Sequence, residues 1–397
     1  MNLDSIGKNE NNCCGCGACS KKCPRDAISI RDDYLGFPQP SIDKEKCINC
    51  GACVNVCPFE KTNFFRIISD FPKEAYAVAL KNRSILLESA SGGAFAGIAK
   101  KVIEKGGVVY GAAWRPGFNV CHIRIESISE LPFIQKSKYI QSDIKECFIS
   151  VKSELDSGTF VLFSGTPCQV ASLKLFLQHE YNNLLTVDLI CHGVGSSSIF
   201  KDDLCYLEKK YKKSISYINF RSKTRGWGTS GDIVFNDRKT KKYDVLNSLY
   251  YYYYLKGSLF RNSCYNCFYA SENRPADFTV GDYWRVEESH PNIKINTKNG
   301  ISSLIINSKK GKTFFECLSD VFYIEDSSLE KIRRHNGQLI KSSAEPNDRK
   351  TLLSIYYEGG YLPLRKFFLK KECKGRAKER LKRLIPLWAK KFFRRHY

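Results

Sequence analysis

The chain has 397 residues, of which 43% are hydrophobic and 26% are charged, which is typical of a folded protein with two or three domains. No apolar run is long enough to span a bilayer, and the polar segment 1–12 lacks a hydrophobic signal core, so we expect a cytoplasmic protein. The net charge of +22 is concentrated at the end, where residues 365–397 contain 14 Lys or Arg and two Glu, so it does not indicate a nucleic-acid partner.

Two runs of cysteines near the N-terminus repeat one spacing, C-x2-C-x2-C-x3-C-P. The first run is Cys13, Cys16, Cys19 and Cys23, and the second is Cys47, Cys50, Cys53 and Cys57. In the bacterial ferredoxin pattern, three thiolates of a run bind one 4Fe–4S cluster and the fourth binds the other cluster. The spacing therefore predicts that Cys57 joins the first cluster and Cys23 the second. Structural zinc is the alternative, although it does not need eight thiolates in two matching runs. Cys14, between two predicted ligands, is interpreted as a spectator.

The pattern of apolar residues changes after about residue 63. In the ferredoxin unit, alternating stretches at 27–30 and 37–42 predict small strands, and each cysteine run predicts a helical turn. Further on, we predict strands at 75–80, 108–114, 120–125, 160–163 and 187–190, with helices at 95–104, 169–178 and 197–211. Strands that feed helices in this order indicate an α/β core with a partly parallel sheet. Residues 217–245 are typical of an antiparallel patch, and tyrosines 250–254 of one buried helical turn with an exposed edge.

Four further cysteines have contexts that indicate a second metal constellation. Cys168 lies in a predicted strand-to-helix loop, Cys191 follows a predicted strand, and Cys264 and Cys267 form a C-x2-C unit. If the two strands are neighbours, their cysteines project from one edge of the sheet, where the C-x2-C unit could complete a four-thiolate site. Buried free cysteines are the alternative. The remaining cysteines are interpreted as ordinary core or surface residues: Cys121, Cys147, Cys205, Cys317 and Cys373.

Several motifs together resemble the coenzyme F(420) hydrogenase/dehydrogenase beta-subunit family, from the ferredoxin repeat to about Arg285. They are residues 88–95 (ESASGGAF), 164–174, 188–195, 219–223 with Gly226-Trp227, Cys264-x2-Cys267, and 276–284 (ADFTVGDYW). The resemblance implies an FAD-containing domain with a 4Fe–4S cluster beside the flavin, ligated by Cys168, Cys191, Cys264 and Cys267. Members oxidise or reduce a deazaflavin coenzyme, and relatives such as 7-hydroxymethyl chlorophyll a reductase act on other substrates. Fold does not determine the substrate, so coenzyme F(420) is not assigned to this chain.

Candidate flavin residues follow from the same segments. Ser91, Gly92 and Gly93 precede a predicted helix whose N-terminus favours an anionic group, although a plain helix cap is the alternative. Thr166 and Gln169 flank a predicted cluster ligand and could bond polar edges of a flavin. Arg221 and Lys223 could hold a pyrophosphate or an acidic substrate, or form a solvated surface run.

Three polar residues near these segments have weaker assignments. His192 is the candidate catalytic residue, as a proton relay, although a lone histidine is more often structural. Asp277 and Asp282 are expected to secure the loop that carries Cys264 and Cys267.

The end of the chain predicts a basic amphipathic extension at residues 346–397. Its apolar residues recur at helical spacing between Lys and Arg: Leu381, Leu384, Ile385, Trp388 and Phe392. A basic helix with Trp and Phe on one side is typical of peripheral contact with the inner membrane face, and a solvated tail is the alternative. Pro386 interrupts the pattern, so two short pieces are also consistent with it.

These patterns predict a mixed α+β or α/β protein in three parts: a bacterial-ferredoxin-like domain (1–63), an FAD and iron–sulfur domain (64–345) and the extension (346–397). The predicted function is that of an iron–sulfur flavoprotein oxidoreductase acting on an unidentified small molecule, with a ferredoxin or another redox protein as partner. Clusters carry one electron at a time, whereas a flavin collects two. The alternative is a non-catalytic electron-transfer subunit of a larger redox complex, which would need no flavin.

Overall fold

A computed structural model describes residues 1–371 of the protein. The strands are β1 Ile28–Asp32, β2 Pro38–Ile42, β3 Glu74–Leu80, β4 Val108–Arg115, β5 Asn119–Ile125, β6 Val161–Gly165, β7 Leu184–Leu189, β8 Ile215–Asn219, β9 Gly231–Phe235, β10 Thr240–Tyr243, β11 Phe278–Asp282, β12 Ser302–Ile306 and β13 Phe322–Ser327. The α-helices are α1 Ala18–Lys22, α2 Ala52–Asn55, α3 Lys61–Ile67, α4 Arg83–Glu88, α5 Ala94–Glu104, α6 Leu131–Ile134, α7 Cys147–Asp156, α8 Pro167–Leu177, α9 Ser197–Tyr211, α10 Leu249–Leu255, α11 Val286–Ser289, α12 Lys309–Phe315, α13 Leu329–Arg333, α14 Arg349–Gly359 and α15 Tyr361–Lys371.

A mixed eight-stranded sheet forms the centre of the molecule, in the order β13-β3-β12-β11-β7-β6-β4-β5. The pairs β4–β6, β6–β7 and β7–β11 are parallel, and the other pairs are antiparallel. Every residue of β6 is buried, as expected for a parallel strand covered on both faces. The sheet confirms the predicted mixed α/β core. Because β6 and β7 are parallel neighbours, the segments that follow them leave the sheet at one edge.

The ferredoxin-like unit is a β1–β2 antiparallel hairpin with the short helices α1 and α2, one in each cysteine run. Gly17 and Gly51 precede these helices with φ of 78° and 81°, a left-handed conformation that glycine adopts readily. The predicted strands and helical turns are therefore present. Lys22 donates to Gln178 at 2.9 Å, one of the contacts that join this unit to the core.

A second apolar core lies around the antiparallel sheet β8–β9–β10, which confirms the predicted patch at 217–245. Helix α10 contains the tyrosine run, and most of its rings are buried there. Helices α14 and α15 pack on the same core through side chains such as Leu364 and Phe368, both 0% exposed. The first part of the predicted extension is thus packed against the core, whereas the predicted basic helix around Trp388 lies outside the described residues. Within residues 1–371, no helix has the length and apolar character that crossing a membrane requires.

Candidate metal and cofactor sites

The first cavity lies inside the ferredoxin-like unit and is lined by Cys13, Cys16, Cys19 and Cys57. Burial raises the pKa of Cys57 to about 11, although Lys8 opposes the shift. Burial also raises the pKa of Cys19 well above its ordinary value. These thiols therefore need a cationic partner to ionise at neutral pH, and cluster iron supplies such charge. We call this cavity site 1.

The second cavity, site 2, is lined by Cys23, Cys47, Cys50 and Cys53. The backbone N–H of Ala27 donates to the Cys23 sulfur at 3.3 Å, and the Asn2 side chain donates to the Cys47 sulfur at 3.7 Å. Cys50 is exposed, so this cavity reaches the protein surface. The structure groups Cys57 with the first run and Cys23 with the second, which is the grouping that crossed ligation requires.

The third cavity, site 3, lies at the sheet edge where β6 and β7 end, and it is lined by Cys168, Cys191, Cys264 and Cys267. Cys168 lies in the first turn of α8, and Cys191 follows β7 by two residues. Cys264 lies within the 3-10 turn Asn262–Asn266, and Cys267 follows that turn. Burial raises the pKa of Cys191 to about 11 and that of Cys264 and Cys267 to about 12. The tertiary fold thus brings together four cysteines that are up to 99 residues apart in sequence.

Each set of four cysteines lines a cavity. Within the described part of the chain, no group of three or more His, Cys, Asp or Glu side chains is arranged to hold one metal ion. Site 3 encloses about 590 Å³ of space free of atoms, part of which opens to solvent. Thiols that line a cavity fit the faces of a metal–sulfide cluster.

Arg274, which the sequence analysis did not single out, joins the two cysteine-bearing segments of site 3. Its guanidinium donates to Asp188 Oδ1 at 2.8 Å, to the Leu189 carbonyl at 2.6 Å and to the Tyr269 carbonyl at 2.6 Å. Leu189 precedes Cys191 by two residues, and Tyr269 follows Cys267 by two. Arg274 therefore holds the C-x2-C segment against the end of β7.

The predicted roles of Asp277 and Asp282 in securing that segment were wrong. Asp277 accepts hydrogen bonds from the hydroxyl groups of Thr186 and Ser308, both at 2.6 Å. Asp282 accepts from the Arg221 guanidinium. Because both aspartates sit at the ends of β11, they bind groups on the strands and turns beside that strand.

The Ser91, Gly92 and Gly93 turn packs closely against the sheet. The Ser91 hydroxyl donates to the Ile301 carbonyl at 2.8 Å. A Cβ atom at Gly92 would lie 2.3 Å from the Val78 carbonyl oxygen, so this position requires glycine for close backbone contact. Gly93, with φ of 82°, begins α5. The helix-cap alternative thus describes Gly93, and a cofactor role for the turn stays a prediction.

Two predicted cofactor residues, Arg221 and Lys223, lie beside this turn. Lys223 donates to the carbonyls of Leu86 and Ser91, both at 2.6 Å, and burial lowers its pKa to about 7. Arg221 is 5% exposed and forms a bidentate ion pair with Asp282 at 2.8 and 2.9 Å. Neither residue belongs to a solvated surface run. Together they place two basic groups next to the Ser91 turn.

Two half-buried tryptophans border the same basic pair. The rings of Trp227 and Trp284 stack with centroids 5.0 Å apart and an angle of 6° between their planes. Arg221 lies over the Trp284 ring at 5.2 Å, and the Trp227 N–H donates to Asp282 at 2.9 Å. Both tryptophans occur in the motifs of the family resemblance, and that signal could have identified them as site residues.

Thr166 and Gln169 lie at site 3 and not beside the Ser91 turn. They form a capping box at the start of α8, and the Thr166 hydroxyl lies 3.2 Å from the Cys168 sulfur. The Gln169 side chain donates to the Ser142 carbonyl at 2.9 Å. Both residues therefore position the α8 turn that carries Cys168.

His192 lies between site 3 and the basic pair. His192 lines site 3. Burial lowers the pKa of His192, the charge of Arg221 lowers it further, and the charge of Asp282 opposes the shift. An imidazole with a lowered pKa is neutral at physiological pH and can accept a proton. The predicted proton relay thus has a suitable location, although its catalytic role stays a prediction.

Cys14 lines both site 1 and site 3. The neighbouring Cys16 thiol lowers the pKa of Cys14, but the Cys168 thiol and burial outweigh that effect and raise the pKa well above its ordinary value. The residue interpreted as a spectator lies at the boundary between two cysteine cavities.

Comparison with known proteins confirms the predicted resemblance. Residues 159–332 match the family described as the C terminus of the coenzyme F420 hydrogenase/dehydrogenase beta subunit, and residues 12–61 match the "4Fe-4S dicluster domain". Neither range includes residues 62–158, where the Ser91 turn lies. No curated protein matches the chain. A chain of the xenon-derivatised F420-reducing NiFe hydrogenase complex from Methanosarcina barkeri is 14% identical, with a TM-score of 0.45, and the alignment covers 72% of this chain and 93% of that chain.

Proposed function

We propose that this protein is an iron–sulfur flavoprotein oxidoreductase. Its residues 12–61 match the 4Fe-4S dicluster domain, and its residues 159–332 match the C terminus of the coenzyme F420 hydrogenase/dehydrogenase beta subunit. Electrons would pass between a redox partner and a flavin through three 4Fe–4S clusters. The observation that carries the proposal is the grouping of twelve cysteines around three cavities, two of which share a lining residue. Site 2 reaches the surface at Cys50, site 1 lies next to it in the same domain, and site 3 shares Cys14 with site 1.

The twelve proposed cluster ligands divide into three sets. They are Cys13, Cys16, Cys19 and Cys57 at site 1, Cys23, Cys47, Cys50 and Cys53 at site 2, and Cys168, Cys191, Cys264 and Cys267 at site 3. Support comes from the four thiols around each cavity and from burial, which favours an ionised thiolate only beside a cation. Arg274 would keep the site 3 segments together while a cluster binds.

The proposed cofactor is FAD, which supplies two-electron chemistry to a path of one-electron clusters when it is bound. Lys223 and Arg221 would bind its phosphates beside the Ser91 turn, since buried cations favour an anionic partner. The fit of Lys223 and Arg221 to the phosphates of FAD rests on the half-buried ammonium group of Lys223, which two carbonyl groups hold in place. Neutral His192 would accept or return a proton through its imidazole nitrogen during substrate turnover.

The proposed partner is a ferredoxin or another one-electron redox protein that docks near Cys50. Because Cys50 is exposed, the cluster of a docked partner could lie close to site 2. The substrate is a small molecule that would reach the flavin from the side of Trp227 and Trp284. Coenzyme F420 is named by the family and is one substrate to assay, together with other planar heteroaromatic compounds. We propose cytoplasmic location for the described domains.

Anaerobic purification followed by iron, sulfide and flavin analysis tests the proposal. We expect about twelve irons, about twelve acid-labile sulfides and one FAD per chain. Cys191→Ala should lower the iron content to about eight, and Lys223→Met should reduce the FAD content at an unchanged iron content. Exposed Cys205, on α9, provides the matched control Cys205→Ala.

The outcomes separate the proposed function from its alternatives. If the protein is incubated with FAD and then contains all of its iron but no flavin, that result would support the alternative of a non-catalytic electron-transfer subunit. Eight irons in the unmodified protein would refute site 3 as a cluster site. Bound zinc with neither iron nor sulfide would refute the iron–sulfur assignment as a whole.

A further inference from the structure

We propose that the turn at residues 13–15 is the electron contact between sites 1 and 3, and that Arg261, Gln141 and Ser263 are positioning residues that clamp it in place. This inference rests on the proposed function, because it requires clusters at both sites. Transfer would move one electron from a reduced cluster at site 1 to an oxidised cluster at site 3. No bond forms or breaks, and Cys14 keeps its thiol oxidation state.

Four hydrogen bonds from three side chains hold the backbone of the turn. Arg261 donates to the Cys13 carbonyl at 2.5 Å, and the Ser263 hydroxyl donates to the same oxygen at 2.8 Å. Gln141 donates to the carbonyls of Cys14 and Gly15 at 2.9 and 3.1 Å. Arg261 also donates to Gln141 Oε1 at 3.1 Å, which ties the clamp together. All three clamp residues line site 3, whereas the carbonyls they bind belong to the wall of site 1.

Two of the three clamp residues are buried, and the clamp leaves no room for a side chain at Gly15. Arg261 and Ser263 are each 1% exposed. A Cβ atom at Gly15 would lie 2.6 Å from the Arg261 guanidinium and 2.8 Å from the Gln141 amide nitrogen, and the glycine has φ of +65°. A guanidinium held at this depth is fixed by several acceptors at once, which gives the turn one defined position. The distance between the two cavities is therefore set by side chains outside the predicted ligand sets.

Cys14 occupies the space between the ligands that the clamp brings together. Cys14 lines site 1 together with Cys16 and site 3 together with Cys168. Electron tunnelling weakens steeply with distance and passes better through packed atoms than through a gap. A sulfur atom in the wall of both cavities thus provides packed atoms on the route between them. Such a route gives a role to a half-buried thiol that belongs to neither four-cysteine set.

Two kinds of variant test the proposal in the full, reconstituted protein. Cys14→Ala removes the bridging sulfur and leaves the clamp intact. Arg261→Lys keeps a positive charge but loses the planar fork that reaches three acceptors. The exposed thiol of Cys205 supplies the control Cys205→Ala, and Cys14→Ser tests rescue by a side chain of similar size.

The readouts are the rate at which site 3 is reduced after rapid reduction of sites 1 and 2, and the magnetic interaction between clusters in EPR spectra. Iron content should stay at about twelve in every variant. We expect Cys14→Ala to slow reduction of site 3 by about tenfold or more, with partial recovery in Cys14→Ser, because small displacements of a reacting pair have large rate effects. Arg261→Lys should also change the EPR interaction, since the turn itself shifts.

Unchanged rates and spectra in both Cys14→Ala and Arg261→Lys, at full iron and FAD content, would overturn this inference and leave the proposed function standing. A missing third cluster in the unmodified protein would instead overturn the proposed function. If Arg261→Lys does not fold, the Cys14 variants and Gln141→Leu provide the same rate measurement.

Discussion

Replacement of Arg274 by methionine should selectively empty site 3. The Arg274 and Asp188 side chains are 1% and 0% exposed, so water cannot replace the lost ion pair. The variant also leaves the carbonyls of Leu189 and Tyr269 without the guanidinium that links them. Removal of one partner from a buried ion pair costs about 3–5 kcal/mol. The protein should remain folded only if its total stability exceeds that loss.

A surface ion pair provides the matched control for this cost. Arg333 and Glu272 are 2.6 Å apart, with side chains 44% and 38% exposed, and solvent screens their interaction. Arg333→Met should therefore change stability by about 0–1 kcal/mol. Both variants lose one positive charge, so a difference between them reports on burial and on the two carbonyl contacts of Arg274.

Anaerobic urea unfolding and iron analysis measure the two effects. Arg274→Met should lower the unfolding midpoint clearly and reduce iron from about twelve to about eight per chain, while the EPR signals of sites 1 and 2 persist. The double variant Arg274→Met with Asp188→Asn should be less destabilised than the sum of the two single variants. In the double variant both charges are removed, so no unpaired charge is left buried. Full iron content and an unfolding midpoint equal to that of Arg333→Met would refute the assigned role of Arg274.

Three further predictions concern the cysteine grouping, the basic pair and the last helix. By crossed ligation, Cys57→Ser should alter the EPR signal of site 1 and Cys23→Ser that of site 2, and the reverse assignment would contradict the grouping. Burial lowers the pKa of Lys223 to about 7, so Lys223 should lose its proton as the pH rises from about 6 to about 8. The affinity for FAD, measured by flavin fluorescence, should fall over that range. The affinity of Lys223→Arg should change less with pH, because arginine stays charged. Leu364→Ala should cost about 2–5 kcal/mol in urea unfolding, because this side chain is 0% exposed. An unfolding midpoint equal to that of the unmodified protein would show that Leu364 does not stabilise the fold.

Much of the fold follows from local patterns, because the side chains that specify strands and helices recur at fixed spacing. The apolar run at 160–163 and the Ser197–Tyr211 helix depend on such spacing, and the structure confirms both, with β6 extending two residues further. The antiparallel patch within 217–245 is also confirmed. Bounds such as those of β7, which begins three residues before the predicted strand, depend instead on pairing with β6.

The part played by residues distant in sequence was harder to predict. Asp277 and Asp282 were expected to secure the loop that carries Cys264 and Cys267, yet their carboxylates bind Thr186 and Arg221. Arg274 had no motif around it, and only the close approach of Leu189 and Tyr269 reveals what it holds. A lone side chain has no periodicity, so its partners cannot be read from spacing.

The sequence by itself determined the chemistry of the ferredoxin-like unit, because eight thiols at two short, repeated spacings can meet only a few kinds of metal group. It also identified Cys168, Cys191, Cys264 and Cys267 through their family motifs. Only the tertiary structure decided that β6 and β7 are neighbours, so that these four sulfurs share a cavity, and that Cys14 lies between this cavity and the first. The physical reason is that contacts between distant segments depend on strand order and buried packing, which local residue patterns do not encode.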